Sequence, residues 1–260
     1  MGGGGYVAGP VGLAAATARV PLVLTEADSH LGIANRLLAP AARRVCLAFP
    51  IEGREGQRYR VTGRAVGPPV TDRAAARARF GLGEDETCVL VFGGSLGARS
   101  VNQAAVEAFA DAPFRVLHAA GVRDFTALAQ RVEGRGHYAL HDFLEGFGEA
   151  LAACDLCVAR AGGSIFEIAA HGKPALLVPY PHASADHQTA NARWMERAGA
   201  AVVVPDADLD AGRLRSEVDA LLGDDQRLGA MARASASIAR PHAAQDIAGE
   251  VLAAAGEAAR

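Results

Sequence analysis

The stretch Val91-Phe92-Gly93-Gly94-Ser95-Leu96-Gly97-Ala98-Arg99-Ser100 follows a short apolar run, Cys88 to Phe92, and opens a helical pattern from Val101 to Phe109. A strand, a glycine-rich turn and a helix N-terminus in that order make an anion site. Free backbone N–H groups and the positive end of the helix dipole face the same point. Glycine lets the backbone approach a phosphate with no Cβ in the way. Chemistry on a phosphorylated molecule is the expectation. The pattern is neither the G-x-G-x-x-G dinucleotide fingerprint nor a P-loop, which needs Gly-Lys-Ser/Thr. Its plain alternative is a strand-to-helix turn with Ser95 as the helix cap.

Arg160-Ala161-Gly162-Gly163-Ser164-Ile165-Phe166-Glu167 repeats that layout after another apolar run. Ser164-x-x-Glu167 fits a capping box, in which serine and glutamate satisfy each other's backbone donors. The functional alternative is that Glu167 accepts both hydroxyls of a ribose, as carboxylates do in nucleotide sites. A third polar loop, Pro179-Tyr180-Pro181-His182 and then Asp186-His187-Gln188-Thr189-Ala190-Asn191, opens a further helix with Asp186 as its expected N-cap. His187 and Asn191 share a helix face, as do Gln188 and Asn191. Amides that both donate and accept suit the hydroxyls of a sugar. Three such loops converging on one strand-end face favour the functional reading of each.

The frame that must position them is legible in the alternation of apolar runs and helical patterns, which indicates an α/β chain with parallel sheet. Strands are expected at 20–24, 44–48 and near 59–61. A linker follows in Gly63-Arg64-Ala65-Val66-Gly67-Pro68-Pro69, whose glycines and prolines break regular structure. After it, helix 72–80 leads to strand 88–92 and helix 98–109. Further strands at 115–118, 138–141, 156–159, 175–179 and 201–204 alternate with helices, and the chain ends in helices near 209–222, 226–239 and 244–254. That is a complete doubly wound domain, in which ligands bind at the carboxyl ends of the strands near a switch point. Residues 1–62 open on four glycines read as a turn, and look like the back half of a second domain.

Of the 260 residues, 50% are apolar and the net charge is −3, which argues against a nucleic-acid binder. No apolar run approaches the ~20 residues needed to span a bilayer. No signal peptide is visible, so the cytoplasm is the default. Four cysteines do not make a disulfide framework in a chain this size. Cys154-Asp155-Leu156-Cys157 has CxxC spacing, but it sits at the start of an expected strand with no second Cys/His pair at zinc-finger spacing.

Together, the GGS-x-GA-R turn, the RAG…E loop, PALLVPYPH and DHQ-x-AN, in this order and spacing, resemble the MurG family of bacterial glycosyltransferases, within glycosyltransferase family 28. The resemblance runs from Gly4-Gly5-Tyr6-Val7-Ala8-Gly9-Pro10 to the C-terminal helices. It implies a GT-B type α/β fold: one complete doubly wound Rossmann-like C-terminal domain, plus the back part of a truncated N-terminal Rossmann-like domain, with the site in the cleft between them. Residues 1–67 would be the partial acceptor-side domain and linker, and 68–240 the UDP-sugar donor-binding domain. Residues 241–260 would be a helix packing back on the N-terminal part. The family moves N-acetylglucosamine from UDP-N-acetylglucosamine to the C4 hydroxyl of N-acetylmuramic acid in lipid I, giving lipid II. The transfer is inverting and calls for no metal or cofactor.

By that resemblance, the Leu144 backbone and Phe147 lie by the uracil, and Arg160 lies close to the nucleotide. Glu167 holds the ribose. Gly94, Ser95 and Gly97 contact the diphosphate, and Gly162, Gly163, Ser164, His187, Gln188 and Asn191 serve the sugar and phosphate end. Tyr6, Asp28 and Asn35 belong to the acceptor side. The partners implied are UDP-N-acetylglucosamine, a polyprenyl-diphosphate-linked acceptor and the inner face of the cell membrane; Arg36, Arg43 and Arg44 could touch its anionic lipid, though a solvated helix end is the slightly favoured reading of these three. No nucleic acid is implied. The same residues would also fit a transferase with another lipid acceptor, or a UDP-sugar-binding subunit with a separate acceptor-domain protein. Three departures from the family stand out. The first strands and the glycine- and histidine-rich loop are expected to be missing. Thr25-Glu26-Ala27-Asp28 stands where His-Glu-Gln-Asn is common, and Gly63-Arg64-Ala65-Val66-Gly67 stands where Gly-Asn-Pro-Val-Arg is. The catalytic base is accordingly unassigned, with Glu26 as a candidate and a strand-end structural role as its alternative.

Overall fold

The computed structural model describes residues 1–94, 97–183 and 186–258, with Tyr6, Glu257 and Ala258 described by their backbone alone. The chain divides into two compact units, Met1–Val66 with Arg240–Arg260, and Gly67–Ala239.

The first unit carries α1 (Gly5–Thr17), β1 (Val23–Glu26), α2 (Ile33–Leu38), β2 (Arg44–Leu47) and β3 (Tyr59–Val61), with a C-terminal helix over Ala243–Ala258. Its three strands are parallel in the order β1-β2-β3. Alternate residues face opposite sides, as the period of two requires. Leu24, Val45 and Leu47 pack with Leu38 of α2 on one face, while Val23 and Cys46 meet Ile247, Val251 and Ala254 of the C-terminal helix on the other. Two features depart from the sequence reading. The first strand starts at Val23 and not at Val20, because Pro21 offers no N–H to a ladder. The opening glycines lead into α1 and do not form a free turn; Gly2 bridges Leu24 in parallel instead. Glycines, an internal Pro10 and an apolar surface all round erase the periodicity by which such a helix is recognised.

The second unit is a six-stranded parallel sheet in the order β6-β5-β4-β7-β8-β9. Its strands are β4 (Cys88–Phe92), β5 (Arg115–Ala119), β6 (Tyr138–His141), β7 (Leu156–Ala159), β8 (Ala175–Leu177) and β9 (Ala201–Val203). Between and after them run α3 (Arg73–Arg79), α4 (Arg99–Ala108), α5 (Phe125–Val132), α6 (Phe147–Ala153), α7 (Ile165–Ala170), α8 (His187–Arg197), α9 (Ala211–Leu222) and α10 (Asp225–Ile238). Every residue of β4 and β7 is buried, as expected of inner parallel strands covered on both faces. Burying Val91, Leu117 and Leu176 contributes about 1.5–3 kcal/mol each. Asp72 caps α3 by accepting from the Ala75 N–H at 2.9 Å.

The carbonyls at the end of α6 are met by cations. Arg73 and Lys173 both donate to the Ala152 and Cys154 oxygens, and Arg77 to Ala153 at 2.9 Å. Cys154 and Cys157 are buried free thiols with sulfurs 3.7 Å apart. They pack as small apolar groups beside this capped helix end.

Candidate active site

In sequence order within the second unit, the strands lie 3-2-1-4-5-6, so the order reverses between β4 and β7. Ligands of such sheets sit in the crevice at that switch point. Phe92 and Ala159 are register partners, so Gly93 and Arg160 leave the sheet side by side. The two glycine loops therefore meet because their strands are neighbours that end in register.

The first loop closes on a Gly97 N–H to Gly94 carbonyl bond of 2.9 Å. Gly94 and Gly97 have φ of +93° and +75°, the left-handed region that glycine adopts without strain. A Cβ on Gly97 would stand 2.0 Å from the Ala120 oxygen, and one on Gly93 2.3 Å from the Ala98 Cβ. The turn is thus pressed onto its own scaffold, and only glycine fits. Ser95 lies outside the described residues.

Two recesses flank this turn. One, of about 260 Å³, is lined by Phe92, Gly94, Ala119, Leu144, Phe147, Ser164 and Glu167, with Asp142 and Phe143 at its rim. Phe92 and Phe147 meet edge to face, centroids 4.9 Å apart. An apolar slot with a carboxylate at one end suits a planar base followed by a ribose. The other recess, of about 680 Å³, is lined among others by Gly93, Gly97, Arg99, Ser100, Arg123, Arg160, Tyr180, Gln188 and Asp206. Three guanidinium groups and the start of α4 make it a seat for negative charge.

Gly94, Leu144, Phe147, Ser164 and Glu167, separate in sequence, are thus brought together on one recess, and Gly97, Arg160 and Gln188 on the other. The capping-box alternative does not hold for Ser164, which has helical backbone angles and makes no side-chain cap bond. Asp186 is not the expected N-cap either; it is left-handed at φ +53° and also makes no side-chain cap bond. Asn191 is buried and donates to the Ala161 carbonyl at 3.0 Å, so it holds the second glycine loop from behind. Its Oδ1 has no partner among the described residues. Gln188 accepts from the Tyr180 N–H at 3.0 Å and lies against Gly162. His187 is half-buried at the first turn of α8, and Gly163 accepts from the Phe166 N–H at 3.3 Å.

Arg160 is more engaged than the sequence suggests. It ion-pairs with Asp206 at 2.6 Å, donates to the Val178 and Pro179 carbonyls and to the Ser100 hydroxyl, and lies over the Tyr180 ring. Ser100 in turn donates to Asp206 at 2.6 Å. This closed set ties the start of α4 to the ends of β7 and β9. Sequence reasoning missed Ser100 and Asp206 because they are 106 residues apart. It also missed Phe92 and Ala119, whose signal was available: Phe92 ends β4 at the switch point and Ala119 ends the neighbouring β5.

In the first unit, Glu26 is buried and its carboxylate accepts from the Asp28 N–H at 3.2 Å, the Gly32 N–H at 2.8 Å and Asn35 Nδ2 at 2.9 Å. Asn35 Nδ2 also donates to the Thr25 carbonyl at 2.9 Å. Those bonds organise the 26–35 loop, the structural role named as its alternative, while the same side chain also lines a cavity. Asn35 is part of the same arrangement. Asp28 is half-buried and its backbone joins it; the Tyr6 side chain lies outside the described set. Arg64 borders a cavity of about 660 Å³ with Glu26, Cys46 and Ile247.

Comparison with known proteins accords with this geometry. Residues 88–248 match the glycosyltransferase family 28 C-terminal domain, and residues 1–47 the glycosyltransferase family 28 N-terminal domain. A curated relative from Moorella thermoacetica is 42% identical over 264 residues, covering 95% of this chain and 71% of its own length. One from Salinibacter ruber is 40% identical, covering 97% and 70%. Both are named UDP-N-acetylglucosamine–N-acetylmuramyl-(pentapeptide) pyrophosphoryl-undecaprenol N-acetylglucosamine transferase. The crystal structure of Acinetobacter baumannii MurG superposes with a TM-score of 0.77 at 30% identity, over 94% of this chain and 70% of that one. With both domain models matched and relatives of this identity spanned over more than two thirds of their length, the chain belongs to glycosyltransferase family 28, and its two α/β units are Rossmann-like parts of a GT-B fold.

Proposed function

We propose that the chain is an inverting N-acetylglucosaminyltransferase of peptidoglycan synthesis. It takes the sugar from UDP-N-acetylglucosamine and places it on the C4 hydroxyl of a polyprenyl-diphosphate-linked N-acetylmuramic acid. The observation that carries this is the meeting of Gly94, Ser164 and Glu167 on one apolar recess at the switch point. The relatives' names supply the sugar and the lipid-linked acceptor.

In this reading the Gly67–Ala239 unit binds the donor and the other unit serves the acceptor. Uracil enters the slot beside Leu144 and Phe147, and the ribose hydroxyls donate to Glu167. The diphosphate lies over the Gly93–Gly97 turn, and the sugar extends toward Gly162, Gly163 and Gln188, with His187 at the start of the same helix and Asn191 supporting the loop from behind. As the acceptor oxygen attacks the anomeric carbon from the opposite face, negative charge grows on the departing diphosphate. The start of α4 and the guanidinium groups of Arg99 and Arg123 border that recess, and would stabilise the growing charge in a reaction that calls for no metal. Arg160 holds this wall in place through Asp206 and Ser100. Calorimetry tests the reading: UDP-N-acetylglucosamine binds one site and is displaced by UDP but not by ADP. Equal displacement by ADP contradicts it.

The acceptor's lipid places the chain at the inner, cytoplasmic face of the membrane as a peripheral protein. Among the described residues no helix is long and apolar enough to cross a membrane. Val7, Val11 and Leu13 of α1 and Ile33 and Leu37 of α2 are 60–78% exposed, and Arg36 stands exposed among the latter. Apolar side chains beside cations suit an anionic interface. Sedimentation with phosphatidylglycerol vesicles is expected to carry the chain down and to fail for the Ile33→Glu, Leu37→Glu double variant. Equal sedimentation of both overturns the membrane assignment.

A further inference from the structure

A polar chain runs through the otherwise apolar interior of the second unit. The Tyr138 hydroxyl on β6 lies 2.7 Å from His118 Nδ1 on β5, and His118 Nε2 lies 3.1 Å from Asn102 Oδ1 on α4. Asn102 Nδ2 then reaches the Ala120 carbonyl at 2.8 Å and the Asp124 carboxylate at 3.1 Å. His118 and Asn102 are fully buried and Tyr138 is 7% exposed. His118 stands in register between Val91 and Leu140, where an apolar residue would pack without desolvation cost.

The direction of every bond follows from one end. A carbonyl and a carboxylate can only accept, so they fix which end of the Asn102 amide is nitrogen. Its Oδ1 therefore faces His118 and needs a proton from Nε2–H. Nδ1 is then a lone pair and accepts from the Tyr138 hydroxyl. One neutral tautomer satisfies the whole chain. Burial keeps the ring neutral, pushing its pKa down to about 3. Because the folded value lies below the unfolded one, this contribution to stability is complete above pH ~6.5 and is lost as pH falls toward 3.

The other end of the chain bears on the site. The Ala120 oxygen held by Asn102 is the atom against which Gly97 rests with no room for a Cβ. Asp124, the second acceptor, pairs with Arg123 at 3.1 Å and Arg99 at 3.6 Å, both lining the recess on the Gly97 side. Arg123 beside it holds the Asp124 carboxyl below its ordinary range, so it stays an acceptor at neutral pH. Tyr138 and His118 do not line either recess flanking the turn.

We infer that Tyr138 and His118 are positioning residues which, through Asn102, set the height of the Gly93–Gly97 turn and the aim of Arg99 and Arg123 toward the donor's diphosphate. Removing the Tyr138 hydroxyl leaves His118 Nδ1 a buried acceptor that has lost its donor. The ring then shifts toward another donor, its Nε2–H no longer meets Asn102 Oδ1 squarely, and the amide that holds the Ala120 carbonyl under the turn loses its brace on that side. The consequence is selective, because a nucleoside without phosphates does not use the turn. The inference rests on the reading of this turn as the diphosphate seat, which predicts that the unaltered chain binds UDP more tightly than uridine.

The test measures UDP and uridine affinities for the 260-residue chain and for Tyr138→Phe, Asn102→Leu and Val101→Ala. Val101→Ala trims a fully buried residue of the same helix outside the polar chain, so it reports destabilisation alone. Tyr138→Phe is expected to weaken UDP about five-fold and Asn102→Leu about thirty-fold, the scale of losing one or two buried hydrogen bonds, with uridine unchanged. Val101→Ala keeps the UDP-to-uridine ratio of the unaltered chain. If Tyr138→Phe leaves that ratio intact, whether both affinities fall together or neither falls, the positioning role is overturned. Equal UDP and uridine binding by the unaltered chain would instead overturn the underlying reading of the turn.

Discussion

Replacing Glu167 by alanine is expected to weaken UDP binding by about a hundred-fold while the chain stays folded. A carboxylate accepting from two ribose hydroxyls contributes roughly 3 kcal/mol, two charge-assisted bonds at the lower end of their range. Glu167 is half-buried on the rim of a recess and is not part of the sheet's core, so its truncation leaves no core cavity. Calorimetry with UDP and 2′-deoxy-UDP separates this from a general loosening. The unaltered chain should prefer UDP, and Glu167→Ala should lose both affinity and preference. Glu167→Gln keeps one acceptor and should fall between. Unchanged UDP affinity in Glu167→Ala would mean that the ribose lies elsewhere.

Gly97→Ala carries the second large effect, and for a different reason. The backbone there is left-handed, which costs a residue with a Cβ about 1–2 kcal/mol. The added Cβ would also sit 2.0 Å from the Ala120 oxygen, so the turn must lift off its scaffold. A combined loss of about 3 kcal/mol or more would lower the melting temperature by roughly 6–12 °C for a unit of this size. UDP affinity should fall with it, because Gly97 lines the recess proposed for the diphosphate and would be displaced. Gly94 supplies the control. Its φ is also positive, but a Cβ there meets nothing within 4 Å among the described residues, so Gly94→Ala should cost little beyond the backbone strain. A melting temperature for Gly97→Ala within 2 °C of the unaltered chain would contradict the close approach.

Much of the frame is legible in the sequence where local and global preferences agree. β4, β6 and β7 begin and end where their apolar runs do, since each is a short buried run bounded by loops of glycine or polar residues. α1 is hidden because glycines and Pro10 contradict a helix locally and only tertiary packing, as of Gly12 against Leu38, compensates. The same division runs through the site. Gly94, Ser164 and Glu167 were readable because each motif is short and its chemistry local. The engagement of Arg160 with Asp206, and the Tyr138–His118–Asn102 chain, join residues from different strands and helices. Their partners are set by strand order, which single motifs do not encode. Glu26 shows the converse: a carboxylate at a strand end invites a catalytic reading, while the three donors by which it organises the 26–35 loop are not announced by any motif.

The central claim is that a uridine diphosphate is held at the switch point between β4 and β7. A crystal structure of the chain with UDP tests this most directly. The expected density has the ribose hydroxyls within hydrogen-bond distance of the Glu167 carboxylate, the uracil beside Leu144 and Phe147, and the diphosphate over Gly94 and Gly97. UDP found away from that recess, or with Glu167 turned from the ribose, would contradict the account.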